Sequence, residues 1–354
     1  MDYDVVVATR NRQFVLKISL PLMLSQSRLP KRFIVVDSSD NHGEVCNIVN
    51  QATAGKAVEL KILESEPGSS LQRNVGLQHV QSPVVIFPDD DSLWFPDSVE
   101  RLMRIYEKDV TEQIGCVAFA ATQIHPPATF ASKVPTYKME LRDRLAARLN
   151  RWMGWAEEKI LPDPIHPGGM WSHVWGSRQA PDWLKEEEAE LCGPVFGYRM
   201  SFRTSVIRSI GGFDEHLGRY AMFEDSDATL GALRRSLNVV ATRARVNHYR
   251  VPGERLSGWA FGKMAILNRA YVICKHSSHD ATARRLLRRY LRYKILRYLG
   301  QSYSAYGRER LRGAIDGMSR LNTILEAAPE KLTISYLSTW NSSIPDFDSQ
   351  SGVS

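Results

Sequence analysis

"SPVVIFPDDDSLWFP", Ser82 to Pro96, sets three consecutive carboxylates directly behind a short apolar run. "PVVIF", Pro83 to Phe87, reads as a buried strand, and Asp89, Asp90 and Asp91 then stand at its carboxyl end. Three adjacent negative charges that are partly withdrawn from water repel one another. Solvent, a basic neighbour or a metal ion must offset that cost. Acids also favour helix N-termini, so a triplet just before a helix starting at Pro96 reads equally as a solvated turn or cap. What decides between these readings is the company the rest of the chain supplies.

Working outward, "DYDVVVATR", "RFIVVDSSD", "VELKILES" and "IGCVAFAATQI" read as further strands. Helical patterns lie between them: one carrying Phe14, Ile18, Leu22 and Leu24, then "NIVNQATA", then "PGSSLQRNVGLQHVQ". Strands alternating with helices predict an α/β fold with a mostly parallel, doubly wound sheet, whose ligands bind beyond the carboxyl ends of the strands. That rule gathers Thr9, Asp37 and the Asp89–Asp91 triplet on one edge. Further on, "MSFRTSVIRSIGGFDE" predicts a strand, a helix and a tight turn at Gly211–Gly212. "FEDSDATLGALRRS" predicts a helix, "NVVATRARVNHYR" a strand, and the last third is mostly helical before a frayed tail.

Of the 354 residues, 43% are hydrophobic and 24% charged, which fits a globular protein and argues against a disordered or low-complexity chain. No apolar run approaches the roughly 20 residues of a membrane span. The N-terminus carries acids where a signal peptide needs bases. Cys46, Cys116, Cys192 and Cys274 show no paired spacing, so neither a zinc site nor a disulfide framework is expected, and a cytoplasmic setting fits. The formal charge of +7 is matched by one segment, Arg284–Arg297, with six Arg, one Lys and no acid. Nucleic-acid affinity is therefore not expected of the chain as a whole.

Four clusters carry the chemistry. Asp89 and Asp91 can ligate a hard cation, Mn²⁺ or Mg²⁺, to which a bound diphosphate would add oxygens. Arg73 in "LQRNVGL" can neutralise a phosphate or close over a carboxylate. Glu224, Asp225 and Asp227 form a second acid group, suited to a general base or to capping a helix. His248 in "RVNHYR" can complete a metal's coordination or simply be structural.

Taken in order, "VVVATRNR", "IVVDSSD", "QRNVGL", "FPDDDSLWFP", "MSFRTSVIRSIGGFDE", "FEDSD" and "HYR" resemble the motifs of family-two glycosyltransferases over roughly residues 2 to 250. The resemblance implies a GT-A fold with a helical C-terminal extension and an inverting transfer from a nucleoside-diphosphate sugar, UDP-linked by preference. The implied product is a polysaccharide or glycoconjugate, built on a glycan or lipid-linked acceptor. It implies that Thr9, Arg10, Asp37, Arg73, Asp89 and Asp90 hold the nucleotide-sugar. Asp91, His248 and Asp89 hold Mn²⁺ or Mg²⁺, and Asp225 is the catalytic base. Glu224, Trp171 and Trp175 are candidate acceptor contacts, while Trp152 and Trp155 are expected to pack. The implied layout is a donor half (1–124), an acceptor and catalytic half with a Trp-rich insertion (125–270), and a basic helical region with its tail (271–354).

Some positions depart from the commonest pattern. "ATRNR" stands where a Pro and an aromatic are frequent, "VDSSD" replaces "VDDGS", and Ser92 sits at an often acidic place. Two rivals are a sugar-phosphate nucleotidylyltransferase and a non-catalytic glycan- or nucleic-acid-binding domain. The first wants a glycine-rich loop after the first strand, where this chain has "ATRNRQFVLK". Within 284–299, Leu287, Leu291, Ile295 and Leu299 share one helical stripe. That stripe reads as a peripheral contact with the inner face of a cytoplasmic membrane, as packing on the protein itself, or as part of a basic helix attracting an anionic acceptor.

Overall fold

The computed structural model describes residues 1–127, 178–250, 256–277 and 280–340. Trp152, Trp155, Trp171, Trp175 and the tail lie outside the described residues. Four apolar segments form a parallel half-sheet: β1 (Tyr3–Thr9), β2 (Arg32–Asp37), β3 (Glu59–Glu64) and β4 (Val84–Phe87), in the order β3-β2-β1-β4. Their links are α1 (Gln13–Met23), α2 (His42–Thr53) and α3 (Ser69–Gln78). Parallel strands joined by helical crossovers end on the same edge. In register, Thr9 lies opposite Asp37, Asp37 opposite Glu64, and Asp89 bridges to Ala8. The expected gathering of strand-end polar residues is therefore realised.

Both faces of this half are covered, which is why its central strands read as continuous apolar runs rather than alternating ones. Val5 and Val7 enter one buried cluster with Leu16, Leu20 and Phe33. Val6 enters the other, with Ile34, Val85, Phe87 and Phe213. Successive side chains point to opposite faces, and here both faces are dry. Helix α3 lies so close to the sheet that any side chain at Gly76 would collide with Val6. That glycine sets the distance at which Arg73 meets the strand ends.

The remaining strands are β5 (Ser92–Trp94), β6 (Ile114–Thr122), β7 (Ala189–Leu191), β8 (Met200–Arg203) and β9 (Leu237–His248). Helix α4 (Ser98–Lys108) begins two residues after the expected Pro96, since β5 carries the chain on to Trp94. Helices α5 (Thr204–Ser209) and α6 (Glu224–Leu233) follow β8. Strand β8 runs antiparallel between β4 and β6, β9 runs parallel to β6, and β5 and β7 run antiparallel to β9. The sheet is thus mixed, parallel in its first half and combining parallel and antiparallel pairs in its second.

The described residues divide into two compact units, one built on the sheet and one on helices. The helical unit holds α7 (Gly258–His276), α8 (Ala281–Gly300), α9 (Ala305–Leu325) and α10 (Leu332–Ser338). Helices α7 and α9 cross in near backbone contact. A side chain at Gly262 would strike the Arg310 carbonyl, and one at Gly313 would strike that of Trp259. Beside the crossing, buried Lys263 reaches Asp316 Oδ2 at 2.9 Å.

On α8 the predicted stripe is split. Leu287 and Leu291 are buried, Ile295 is half-buried, and Leu299 is exposed. A different stripe faces outward: Arg285, Arg289, Arg292, Leu296 and Leu299, spaced at alternating steps of four and three. Among the described residues no helix is long and apolar enough to cross a membrane.

Candidate active site

The three aspartates of the opening stretch separate into three roles. Asp90 turns inward: its Oδ2 accepts from Thr9 Oγ1 at 2.9 Å, and its carbonyl accepts from Ser19 Oγ at 2.5 Å. Burial pushes Asp90 up to about 7, against the pull of Arg12. Asp91 faces Arg12, whose Nη2 is 2.9 Å from Oδ2, and His248, whose Nε2 is 3.2 Å from Oδ1. Burial acts upward on Asp91 as well, yet His248 and Arg12 together hold it below the usual carboxylate range. Asp89 faces Arg73, and burial raises it despite that partner.

His248 arrives through β5. The antiparallel pairing of β5 with β9 sets Ser92 opposite His248, one residue from Asp91. The imidazole lies flat on Tyr198, with ring centroids 4.4 Å apart and planes inclined at 17°. Ser92 Oγ donates to the Tyr198 carbonyl at 2.9 Å, so the strand carrying the acids also holds the residue that backs the histidine. Ligand atoms of Asp89, Asp91 and His248 all lie within 4.8 Å of one another.

Arg73 joins this group to the second acid cluster. Its Nη1 donates to Glu224 Oε1 at 2.5 Å and to Ser69 Oγ at 2.9 Å; its Nη2 donates to Asp89 Oδ1 at 2.8 Å. The guanidinium lies 5.4 Å from the centre of the Phe213 ring. The neighbouring Asn74 accepts from the Phe213 backbone N–H and donates to its carbonyl, both at 2.8 Å. This pins the turn at Gly211 and Gly212, whose φ angles of 89° and 80° suit glycine. "QRNVGL" and "GGFDE" are thus two halves of one contact.

Glu224 and Asp225 open α6, where a helix N-terminus favours negative charge. Asp225 accepts from Gly197 N at 2.8 Å and from Ser226 N at 2.6 Å, bonds that fix its orientation. Burial raises Asp225, and burial pushes Glu224 up to about 7 even against Arg73. One guanidinium shared between Glu224 and Asp89 cannot neutralise both. Gly197 lies where the groups converge: a Cβ there would stand 3.3 Å from Arg73 Nη2, 3.4 Å from Asp89 Oδ1 and 3.7 Å from Asp225 Oδ2.

The other expected residues are placed as follows. Asp37 is fully buried; Ser39 N and Oγ reach its Oδ1 at 2.9 and 2.6 Å, and His42 Nδ1 lies 2.7 Å from Oδ2. Arg10 is half-buried just past the end of β1. Trp171 and Trp175 lie outside the described residues. Arg12, Tyr198, Gly197 and His42 were not singled out from sequence. Arg12 lay inside a quoted motif, but no spacing rule pairs it with acids some eighty residues away.

Residues 4–156 match the sequence family described as glycosyl transferase family 2. Over that segment the chain is similar to this family. The chain also resembles solved structures across 77–96% of its length. One is S. aureus TarS 1–349 in complex with UDP-GlcNAc, at 16% identity and a TM-score of 0.52, covering 96% of this chain and 90% of that one. Another is the mannosyltransferase PcManGT from Pyrobaculum calidifontis in complex with GDP-Man and Mn²⁺, at 14% and 0.51, covering 96% and 88%. A third is GalNAc-T7 with UDP, GalNAc and Mn²⁺, at 14% and 0.51, covering 77% and 47%. The chain spans 55% of the longer TarS chain. No curated protein sequence matches it. At these identities the structures establish the shared α/β fold.

Proposed function

We propose that this glycosyltransferase moves a sugar from a nucleoside-diphosphate sugar, UDP-linked by preference, to a hydroxyl of a glycan or lipid-linked acceptor, with inversion, in polysaccharide or glycoconjugate synthesis. The observation that carries the reading is the Asp89–Asp91–His248 group, joined through Arg73 to the cluster that holds Asp225. Five carboxylates (Asp89, Asp90, Asp91, Glu224 and Asp225) stand with two guanidinium groups, Arg12 and Arg73. Asp91 Oδ1 is buried and accepts no well-directed hydrogen bond. Two carboxylates and an imidazole suit Mn²⁺, and carboxylate oxygens suit Mg²⁺, so these residues fit a divalent ion. Such an ion, when bound, supplies positive charge against which a leaving diphosphate is stabilised.

The protein's own groups do the rest. Arg12 and His248 keep Asp91 ionised and Tyr198 keeps the imidazole in place. Asp225, held by Gly197 and Ser226, takes the proton of the acceptor hydroxyl as that oxygen attacks the anomeric carbon. Its raised affinity for a proton brings it nearer to working pH, which favours a general base. One displacement inverts the carbon without a covalent intermediate. Asp37, Arg10 and Thr9 border the nucleotide: Thr9 acts through Asp90, and Asp37 presents the backbone beside it.

The test is calorimetry with Mn²⁺ and a panel of UDP-, GDP- and dTDP-sugars. We expect binding that requires the ion and vanishes in Asp91→Ala. Equal heats in that variant would overturn the metal assignment. The reading extends to the acceptor's setting. The exposed Arg285, Arg289, Arg292, Leu296 and Leu299 stripe combines positive charge with apolar surface, as a helix lying on an anionic, cytoplasmic membrane face requires. Co-sedimentation with phosphatidylglycerol vesicles should fall sharply when the three arginines become Glu, and unchanged recovery would remove the membrane contact.

A further inference from the structure

Outside the acid clusters, one group of side chains has the make-up of an activated nucleophile. His42 and Cys46 are four residues apart on α2 and so share a face of that helix. Cys46 Sγ lies 3.2 Å from His42 Nε2, and His42 Nδ1 lies 2.7 Å from Asp37 Oδ2. Asp37 is itself anchored by the backbone N–H and hydroxyl of Ser39. A carboxylate only accepts, so Nδ1 carries the hydrogen in the neutral ring. The Nε2 lone pair is thereby turned to the sulfur. This is the order of groups in a nucleophile–base–acid relay, with a thiol in the first place.

The other thiols lack this arrangement. Cys116 and Cys274 are buried. Burial pushes Cys192 up to about 12 and Cys274 up to about 11. Cys46 is half-buried on a helix surface, within reach of a small reagent.

We infer that Cys46 is a primed thiol that exchanges with low-molecular-weight disulfides to form a mixed disulfide on the protein. His42 Nε2 takes the thiol hydrogen, and the thiolate attacks one sulfur of the disulfide. That S–S bond breaks as the new one forms, and the departing thiolate collects the proton from His42. The incoming disulfide is the only oxidant, and its second half leaves as a thiol, so the exchange balances. Neither His42 nor Cys46 has a part in the glycosyl-transfer reading; the two readings share only Asp37, which holds His42 here and borders the nucleotide there.

The full-length chain, mixed at pH 7 with excess dithiobis-nitrobenzoate, tests this. One equivalent of thionitrobenzoate should appear in a fast phase, about tenfold or more faster than from free glutathione at the same pH. Mass spectrometry of the quenched fast phase should place the adduct on Cys46. Cys46→Ser should abolish the fast phase, and His42→Gln, which keeps a polar group at the helix start, should slow it about tenfold with an unchanged circular dichroism spectrum. A fast phase that survives Cys46→Ser, a rate no greater than that of glutathione, or an unaltered rate in His42→Gln overturns the inference.

Discussion

The acids after β4 and the acids opening α6 are alike in type and all at least partly buried, yet they differ in what surrounds them. Asp91 is hydrogen-bonded by Arg12 and faced by His248, and stays below the ordinary carboxylate range although burial opposes this. Glu224 shares Arg73 with Asp89, and Asp225 is served mainly by backbone amides; burial dominates, and both are raised. The supply of positive charge, more than depth, separates an acid fit to hold a cation from an acid fit to accept a proton. Within the triplet Asp90 rises to about 7: burial outweighs Arg12, which is 3.4 Å away, and its hydrogen-bond partner is the Thr9 hydroxyl.

The sharpest test of this division is Asp225→Asn. Transfer should fall by roughly 10²–10⁴-fold, the range for a lost general base, while ion-dependent nucleotide binding persists. Loss of both together would merge the two clusters into one function. Next in size is Arg73→Met, which leaves Glu224 and Asp89, both partly buried, without their shared cation. Removing one partner of a buried pair costs about 3–5 kcal/mol, read from urea unfolding. An unchanged midpoint would show that the clusters are not electrically joined.

A smaller effect concerns pH in ion-free protein. Glu224 binds its proton more tightly folded, at about 7, than at its ordinary 4.5. The native state therefore holds the extra proton between those values, and stability falls as pH rises from about 4.5 to about 7. Asp90 acts with the same sign between 3.8 and about 7. Urea titrations in EDTA should show this slope, reduced in Glu224→Gln; an identical slope would remove Glu224 as its source. Smallest is Gly197→Ala. Its methyl would crowd Arg73 and Asp89 at 3.3–3.4 Å, so a few-fold loss of transfer is expected with a stability change of about 1 kcal/mol or less.

How much of this could be read beforehand follows from the kind of signal involved. The strands β1, β2 and β4 announce themselves because both faces are buried, and a run such as "VVVA" has few other uses. Their shared edge follows from parallel connection alone. Strand β5 is only three residues, "SLW", too short for any period to register, yet it brings His248 to Asp91. The direction of β8 is likewise not written in "MSFR"; it is set by pairing on both sides with β4 and β6. On α8, periodicity predicts a stripe but not which side meets the protein, and packing claims Leu287 and Leu291 while leaving Leu299 outside.

Sequence alone determined the alternation of strands and helices, the acid runs at strand and helix ends, the glycine turn and the family's motif order. These depend on neighbours within a few bonds, where sterics and solvation act on adjacent residues. Only the folded chain decided that Arg73 bridges Asp89 and Glu224, that Arg12 and His248 flank Asp91, and that Asp37, His42 and Cys46 line up. Coulomb and hydrogen-bond energies depend on separation in space, and a pairing across 151 positions has no local trace until the sheet has closed it.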